Sequence, residues 1–381
     1  MRKEQLSPLQ IAFIAIGFTL GSSILFTTGV RFGGRATWIA EAASTVPGTA
    51  IIMMMSYITG RFPGKNLLEI LTALTGGFLG LLYYVFFAVL TSALVISTIQ
   101  NFFTTAILTE TPAWVFCLTM ALATGYVLRL GLEPAARCIQ FILPPVIIIL
   151  GLMFFAAFYF VKISYLLPLF TISTIDFARA LIVLTSFPDA QMFLLASVAL
   201  RANDYRKVLP ALLLGYLGGS LFLILRPILS VGIFSFSEAK HFTFAIYMVA
   251  RVIRFGQFLE RIESFFLFLW FFIIFIKVAV CFYAALDGMS ALFKINDVKM
   301  LVYPLCIFVI PFSINGYANY QEVPRYLSSA LPALSFPVCF IKRKNLLNCG
   351  NQNPCQGGQL YIHLDKQGQP QPEDEKTAVQ Q

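Results

Sequence analysis

Ten apolar stretches follow one another along the chain, separated by short polar breaks. A helix that crosses a bilayer takes roughly 20 apolar residues. Of the 381 residues, 58% are hydrophobic and 12% are charged, whereas a soluble domain has about 25% charged residues. The sequence therefore predicts an all-α polytopic membrane protein with ten transmembrane helices. The predicted spans, numbered 1 to 10, are 9–29, 37–59, 79–103, 113–130, 139–161, 178–199, 208–232, 263–286, 300–316 and 327–341.

Two polar stretches differ in composition from the spans. Residues 345–381 are rich in Asn, Gln, Gly and Pro, which predicts a disordered tail. Residues 1–344 are then one membrane domain. Between spans 7 and 8, residues 244–258 mix bulky apolar residues with Arg251 and Arg254, which predicts a helix lying in the membrane interface.

The basic residues of the loops predict the orientation. An even number of spans places both termini on one side of the membrane. The loops of that side contain Arg61, Lys65, Arg129, Arg137, Arg201, Arg206, Lys207, Lys294 and Lys299, with further basic residues at both ends. The loops of the other side contain Arg31, Arg35, Lys162, Arg179 and Arg325. The positive-inside rule therefore predicts cytoplasmic termini. Topology then accounts for most of the net charge of +9, and no nucleic-acid partner is expected.

Spans 1 and 6 contain residues that interrupt a helix at mid-membrane depth. Residues 17–24 of span 1 include two glycines and three hydroxyl residues, and residues 185–191 of span 6 include Pro188, Asp189 and Gln191. Non-helical backbone at this depth is tolerated where it lines a cavity or is enclosed by protein. Taken singly, the glycines could serve close helix packing and Pro188 could be a simple kink.

The two interruptions match in position if the ten spans form two halves of five. An odd number of spans per half makes the halves inverted copies, and interrupted segments at equivalent places indicate a transporter-type binding site. Free helix ends attract a carboxylate at one end and an ammonium or a cation at the other. The sequence thus predicts a five-plus-five inverted repeat with broken helices 1 and 6, and a site suited to a zwitterionic amino acid.

Charged residues inside the spans are the second indication of a site. Lys277 lies in the middle of span 8, and such a residue is a functional candidate. Its ammonium is expected either to replace a coupling cation at the carbonyls of span 1 or to pair with Asp189; a structural ion pair is the alternative. Arg226 in span 7 and Glu41 in span 2 are predicted to be structural partners or interface residues.

Enzymatic chemistry has little support in the sequence. The two histidines, His241 and His363, are too few and too distant for a metal centre. The phosphate-binding loop, the G-x-S-x-G nucleophile motif and the H-E-x-x-H zinc motif are missing from the sequence. We therefore expect no enzyme, no cofactor and no metal site.

Four stretches of the sequence resemble one family. They are residues 21–25, 61–69, 131–137, and 259–265 leading through Trp270 to Lys277. Over about residues 5–341 the chain resembles the B subunit of the nutrient germinant receptors of spore-forming Bacillota. These spore germination permeases are related to the amino acid–polyamine–organocation transporter superfamily. The sequence departs from their pattern at Gln191, where an acid is common, and at Ser23, where a second glycine is usual.

The resemblance implies a midplane pocket between spans 1, 3, 6 and 8 that binds a small nutrient. By motif position, the ligand-binding residues are Gly21, Ser22, Pro188, Asp189, Gln191, Lys277, Cys281, Phe86 and Leu90. It also implies an A-type membrane subunit and a C-type lipoprotein subunit as partners, and a location in the inner membrane of the spore. The expected function is to sense a germinant and trigger germination; the alternatives are a proton-coupled amino acid transporter and a scaffold or channel with a vestigial pocket.

Overall fold

The computed structural model describes residues 5–27, 29–61, 78–168, 172–253, 262–295 and 297–315. Span 10, the tail 345–381 and most of the resembling stretch 61–69 lie outside these residues. The described helices are α1 (Pro8–Leu20), α2 (Val30–Gly33), α3 (Thr37–Arg61), α4 (Phe78–Ala106), α5 (Ala113–Leu130), α6 (Leu132–Phe158), α7 (Ile163–Leu166), α8 (Thr174–Ser186), α9 (Ala196–Ala199), α10 (Val208–Ala239), α11 (Ala245–Val252), α12 (Ile262–Phe293) and α13 (Val302–Ile314).

The described residues form an almost purely helical bundle. Seven of its helical segments are long and apolar enough to cross a membrane, and α1 and the segment Val298–Ile314 are shorter apolar helices. The only β-type pairing among the described residues is the isolated bridge between Leu6 and Ala202. The prediction of an all-α polytopic membrane protein is therefore confirmed. Spans 1 to 9 all correspond to described helices, although α6 begins at Leu132, earlier than span 5.

The start of α1 follows from its sequence. The Ser7 hydroxyl accepts a hydrogen bond from the Gln10 amide, the Gln10 side chain accepts one from the Ser7 amide, and Pro8 occupies the first turn. This reciprocal capping satisfies donors that have no partner inside the helix. Along its length α1 packs closely on α10, because Gly215 has no side chain. A Cβ atom at Gly215 would lie 2.4 Å from the carbonyl oxygen of Ala12.

The connection after α10 contains the short helix α11. One face of α11 packs on the bundle, with Ala245, Ile246 and Val249 buried, while Arg251 is exposed. The rings of Phe244 and Tyr247 lie 4.9 Å and 5.3 Å from the ring of Phe102. With Trp270 of α12, whose ring lies 5.1 Å from that of Phe102, they form an aromatic cluster. The position of α11 in the membrane interface stays a prediction.

The opposite end of the bundle is closed by the segment before α1. The Leu6 amide donates to the carbonyl of Arg201 at 2.8 Å, and the Asn203 amide donates to the carbonyl of Leu6 at 3.0 Å. The Arg201 guanidinium lies 2.9 Å from the Asp287 carboxylate on α12. Backbone and side-chain bonds together join the start of α1, the end of α9 and α12 at one point.

Candidate binding site at two interrupted helices

The first interruption follows α1. The helix ends at Leu20, residues 21–25 form turns, and regular helix resumes only at Val30 in α2. The carbonyl of Gly21 is freed from the helix and accepts a hydrogen bond from the indole nitrogen of Trp270, at 3.1 Å. Gly21 is also needed for space, because a Cβ atom there would lie 2.3 Å from Cδ of Lys277. The break therefore brings the backbone of span 1 against α12.

The second interruption lies in span 6. Helix α8 ends at Ser186, a cis peptide bond joins Phe187 to Pro188, and the chain continues as a 3-10 helix over Asp189–Leu195 before α9. Proline lacks the amide hydrogen that a continuing α-helix requires. The two interruptions are neighbours, since the rings of Phe26 and Phe187 lie 6.4 Å apart and the Thr19 hydroxyl is 3.8 Å from the sulfur of Met192.

Lys277 lies between the two interruptions and is completely buried. Its ammonium is 3.4 Å from the Ser23 hydroxyl oxygen, 5.3 Å from the centroid of the Phe18 ring and 4.9 Å from that of Phe187. Aromatic faces attract a cation and partly replace its lost hydration. Among the described residues, no carboxylate oxygen lies within 4.0 Å of this ammonium. The expected ion pair with Asp189 is therefore wrong.

Arg226, rather than Lys277, binds the free carbonyl oxygens of span 1. Its guanidinium donates to the carbonyl oxygens of Ser23 and Phe26 and lies 2.8 Å from the Glu41 carboxylate. Arginine suits such a place because its planar group offers five donors in several directions. The prediction that Arg226 and Glu41 are structural partners is confirmed. The expectation that Lys277 binds these carbonyls is wrong, because the arginine already fills the position.

Asp189 is bound by a tyrosine of α10. Its Oδ1 accepts a hydrogen bond from the Tyr216 hydroxyl at 2.8 Å, and both side chains are buried. The absence of a side chain at Gly48 makes room for this pair, since a Cβ atom there would lie 1.9 Å from the Tyr216 hydroxyl oxygen. Tyr216 and Gly48 were not among the predicted site residues. Tyr216 has no sequence signal, because it lies in an ordinary apolar helix, whereas Gly48 follows Pro47 inside α3, and a proline–glycine pair is a signal that could have found it.

Three polar atoms at the interruptions are buried without a hydrogen-bond partner among the described residues. They are Oγ of Ser22, Oδ2 of Asp189 and Oε1 of Gln191. A buried polar atom that makes no hydrogen bond costs about 1–3 kcal/mol. All three belong to residues that the sequence places in the site. Their cost indicates that this part of the bundle is arranged for a polar occupant.

The remaining predicted residues divide into two groups. Cys281 is buried one turn after Lys277, and Pro188 precedes Asp189 directly. Leu90 is half-buried and packs against the core. Phe86, in contrast, is 52% exposed on the outer face of α4, while its neighbours Tyr84 and Phe87 are buried. The structure therefore does not bring Phe86 to the other residues, because helix rotation turns it towards lipid.

The chain is similar in sequence to known spore germination proteins. Residues 5–321 match the family model described as "Spore germination protein". The chain belongs to the spore germination permease family. Two curated relatives from Bacillus subtilis (strain 168) illustrate the similarity. Spore germination protein KB is 23% identical, covering 90% of this chain and 97% of its own length; spore germination protein YndE is 24% identical, covering 87% and 95%.

Solved transporter structures share the fold of this spore germination permease. One is MHP1, a nucleobase-cation-symport-1 family transporter, in a closed conformation with bromovinylhydantoin bound. It matches with a TM-score of 0.60 at 12% identity, covering 88% of this chain and 78% of its own. A manganese transporter from Eremococcus coleocola matches with a TM-score of 0.53 at 13% identity, covering 87% and 76%. Both comparisons show a transporter-type fold.

Proposed function

We propose that this permease-family protein is the germinant-sensing membrane subunit of a spore nutrient receptor. It binds an amino acid or a similar small nutrient between the two interrupted helices and α12. One observation carries this proposal: Lys277 and Asp189 have opposite charges, are both buried, and have no ion-pair partner in the described part of the chain. A zwitterion offers each of them the charge it lacks.

The unpaired atoms support a definite orientation of the nutrient. Its carboxylate would lie against the ammonium of Lys277 and the hydroxyl of Ser22, which are donors. Its ammonium would lie against Oδ2 of Asp189 and Oε1 of Gln191, which are acceptors. Charge-assisted hydrogen bonds of this kind are stronger than neutral ones. The nutrient would thus give a partner to each of these three atoms at the interruptions.

Sensing requires that the nutrient favours one arrangement of the interrupted helices over another. Partner A-type and C-type subunits would respond to that change of arrangement. Signalling of this kind does not require the nutrient to cross the membrane. Germination and uptake can therefore be separated by experiment. We expect spores that lack the gene to lose germination with one nutrient in a screen, while growing cells take up that nutrient at an unchanged rate. Lost uptake with retained germination would contradict the sensing role.

The alternative is a proton-coupled amino acid transporter of the same fold. Lys277 favours it, since a buried amine without a carboxylate partner can exchange a proton without breaking an ion pair. Uptake of the identified nutrient by proteoliposomes containing the purified chain distinguishes the two. A proton-driven uptake that is lost in Lys277→Met supports transport, whereas nutrient binding without uptake supports sensing.

A further inference from the structure

An apolar cavity of about 290 Å³ opens on the outer side of the bundle. It lies between α5, α6 and α12. Its lining includes Val127, Ala135, Cys138, Ile142, Phe271 and Ile276. Several of these side chains are open to the surroundings of the bundle, including Phe271 and Ile142, which are 40% and 38% exposed. In a spanning protein those surroundings are lipid.

We propose that this cavity binds an acyl chain of an anionic phospholipid. The depth of the cavity fits one leaflet. Ala135 and Ile142 lie four and eleven residues beyond the turn at Gly131, which is roughly 6–16 Å along a helix. The hydrocarbon of a single leaflet is about 15 Å thick. With Gly131 at the interface, the cavity spans the depth that a lipid tail occupies.

The charges around the Gly131 turn favour an anionic headgroup. Arg129 and Arg137 flank the Gly131 turn, and Glu133 is the one acid between them. The Arg129 guanidinium is fixed by a 2.8 Å hydrogen bond to the hydroxyl of Tyr303, whose ring centroid is 4.8 Å away. Arg137 lies 2.6 Å from Glu133 and remains largely exposed. The net positive charge at headgroup level attracts an anionic lipid.

The cavity shares a side chain with the interrupted helix α1. Ile276 lines the cavity, and a Cβ atom at Gly17 would lie 2.8 Å from its Cδ1. Ile276 therefore touches the lipid tail on one side and α1 on the other, directly beside Lys277. The lipid site does not depend on whether the permease senses or transports a nutrient.

Photolabelling of the full chain in lipid nanodiscs tests the site. The probe is a phosphatidylglycerol with a diazirine in one acyl chain, and the labelled peptides are mapped by mass spectrometry. We expect labelling concentrated on residues 127–142 and 271–279. Ala135→Phe fills the cavity and is expected to reduce this labelling about fivefold. The matched control is Ala123→Phe, at an exposed position of α5, which leaves the labelling unchanged.

A second variant covers the case in which Ala135→Phe does not fold. Cys138→Trp fills the cavity from an exposed position, and the same loss of labelling is expected. Uniform labelling of all exposed helices, or unchanged labelling in both filled variants, would overturn the proposal. For the headgroup, the phosphatidylglycerol probe should label about fivefold more than its phosphatidylcholine counterpart. Equal labelling by the two, or a preference that survives Arg129→Gln/Arg137→Gln, would overturn the selection of anionic lipid.

Discussion

The Arg226 guanidinium lies 2.8 Å from the Glu41 carboxylate, and both side chains are buried. The pair joins α10 to α3, and the same guanidinium binds two carbonyls that the interruption of span 1 leaves free. A single cation thus connects three segments of the bundle. Its removal would leave a buried carboxylate and two carbonyls without their donor, which is costly in a bundle surrounded by lipid.

Disruption of this pair is expected to destabilise the protein strongly. Arg226→Met should lower the free energy of unfolding by about 3–5 kcal/mol, since breaking a buried pair leaves an uncompensated charge. Arg226→Met/Glu41→Met should be more stable than Arg226→Met alone, because that charge is gone. Thermal unfolding of the purified protein measures both. The matched control is Arg137→Met, which breaks an exposed pair with Glu133 and should change little. A double variant less stable than the single one would contradict this account.

The contact of Gly21 with Lys277 predicts a steric effect. A Cβ atom at Gly21 would lie 2.8 Å from Cβ of Lys277, which cannot move without the backbone of α12. We expect Gly21→Ala to cost about 1–3 kcal/mol of stability, as overpacking does. It should also shift the nutrient dose required for germination. Gly60→Ala is the matched control, because no atom lies within 4 Å of a Cβ there. Equal stability and response in both variants would contradict the prediction.

Lys277 is expected to determine the affinity for the nutrient. In Lys277→Met a similar volume is kept and the charge is lost, so that a charge-assisted hydrogen bond worth about 1.5–3 kcal/mol disappears. The nutrient concentration for half-maximal germination should rise by about tenfold or more. Immunoblots of spore membranes check that the protein is present. Lys299→Met, at an exposed position, serves as the control. An unchanged dose–response in Lys277→Met assigns this lysine a structural role.

The pair of Arg201 with Asp287 is expected to keep the end of the bundle closed. Cys281, buried on the same helix as Asp287, reports opening in a variant whose other cysteines are replaced by serine. Asp287→Asn should increase the rate at which a small maleimide modifies Cys281, since the bond from Arg201, two residues after α9, to α12 is weakened. Asp204→Asn removes an exposed pair with Lys207 and is the control. Equal rates in the two variants would show that the pair does not hold this end closed.

Local features of this chain follow from its sequence, whereas the pairing of side chains that are distant in the sequence does not. The sequence predicts the apolar spans, the interruptions at Gly21 and Pro188, and the burial of Lys277. Each depends on residues close together in the chain, because hydropathy and the conformational limits of glycine and proline act locally. The inverted repeat and the ligand remain predictions.

The tertiary structure decided which polar groups meet. It placed Arg226 at the carbonyls of span 1, bound Asp189 to Tyr216, and turned Phe86 outwards. These outcomes depend on the rotation of each helix about its axis. In a soluble protein a polar stripe reveals that rotation. Here lipid and the bundle interior are both apolar, so the sequence of a span does not mark its inner face, and only the packed structure does.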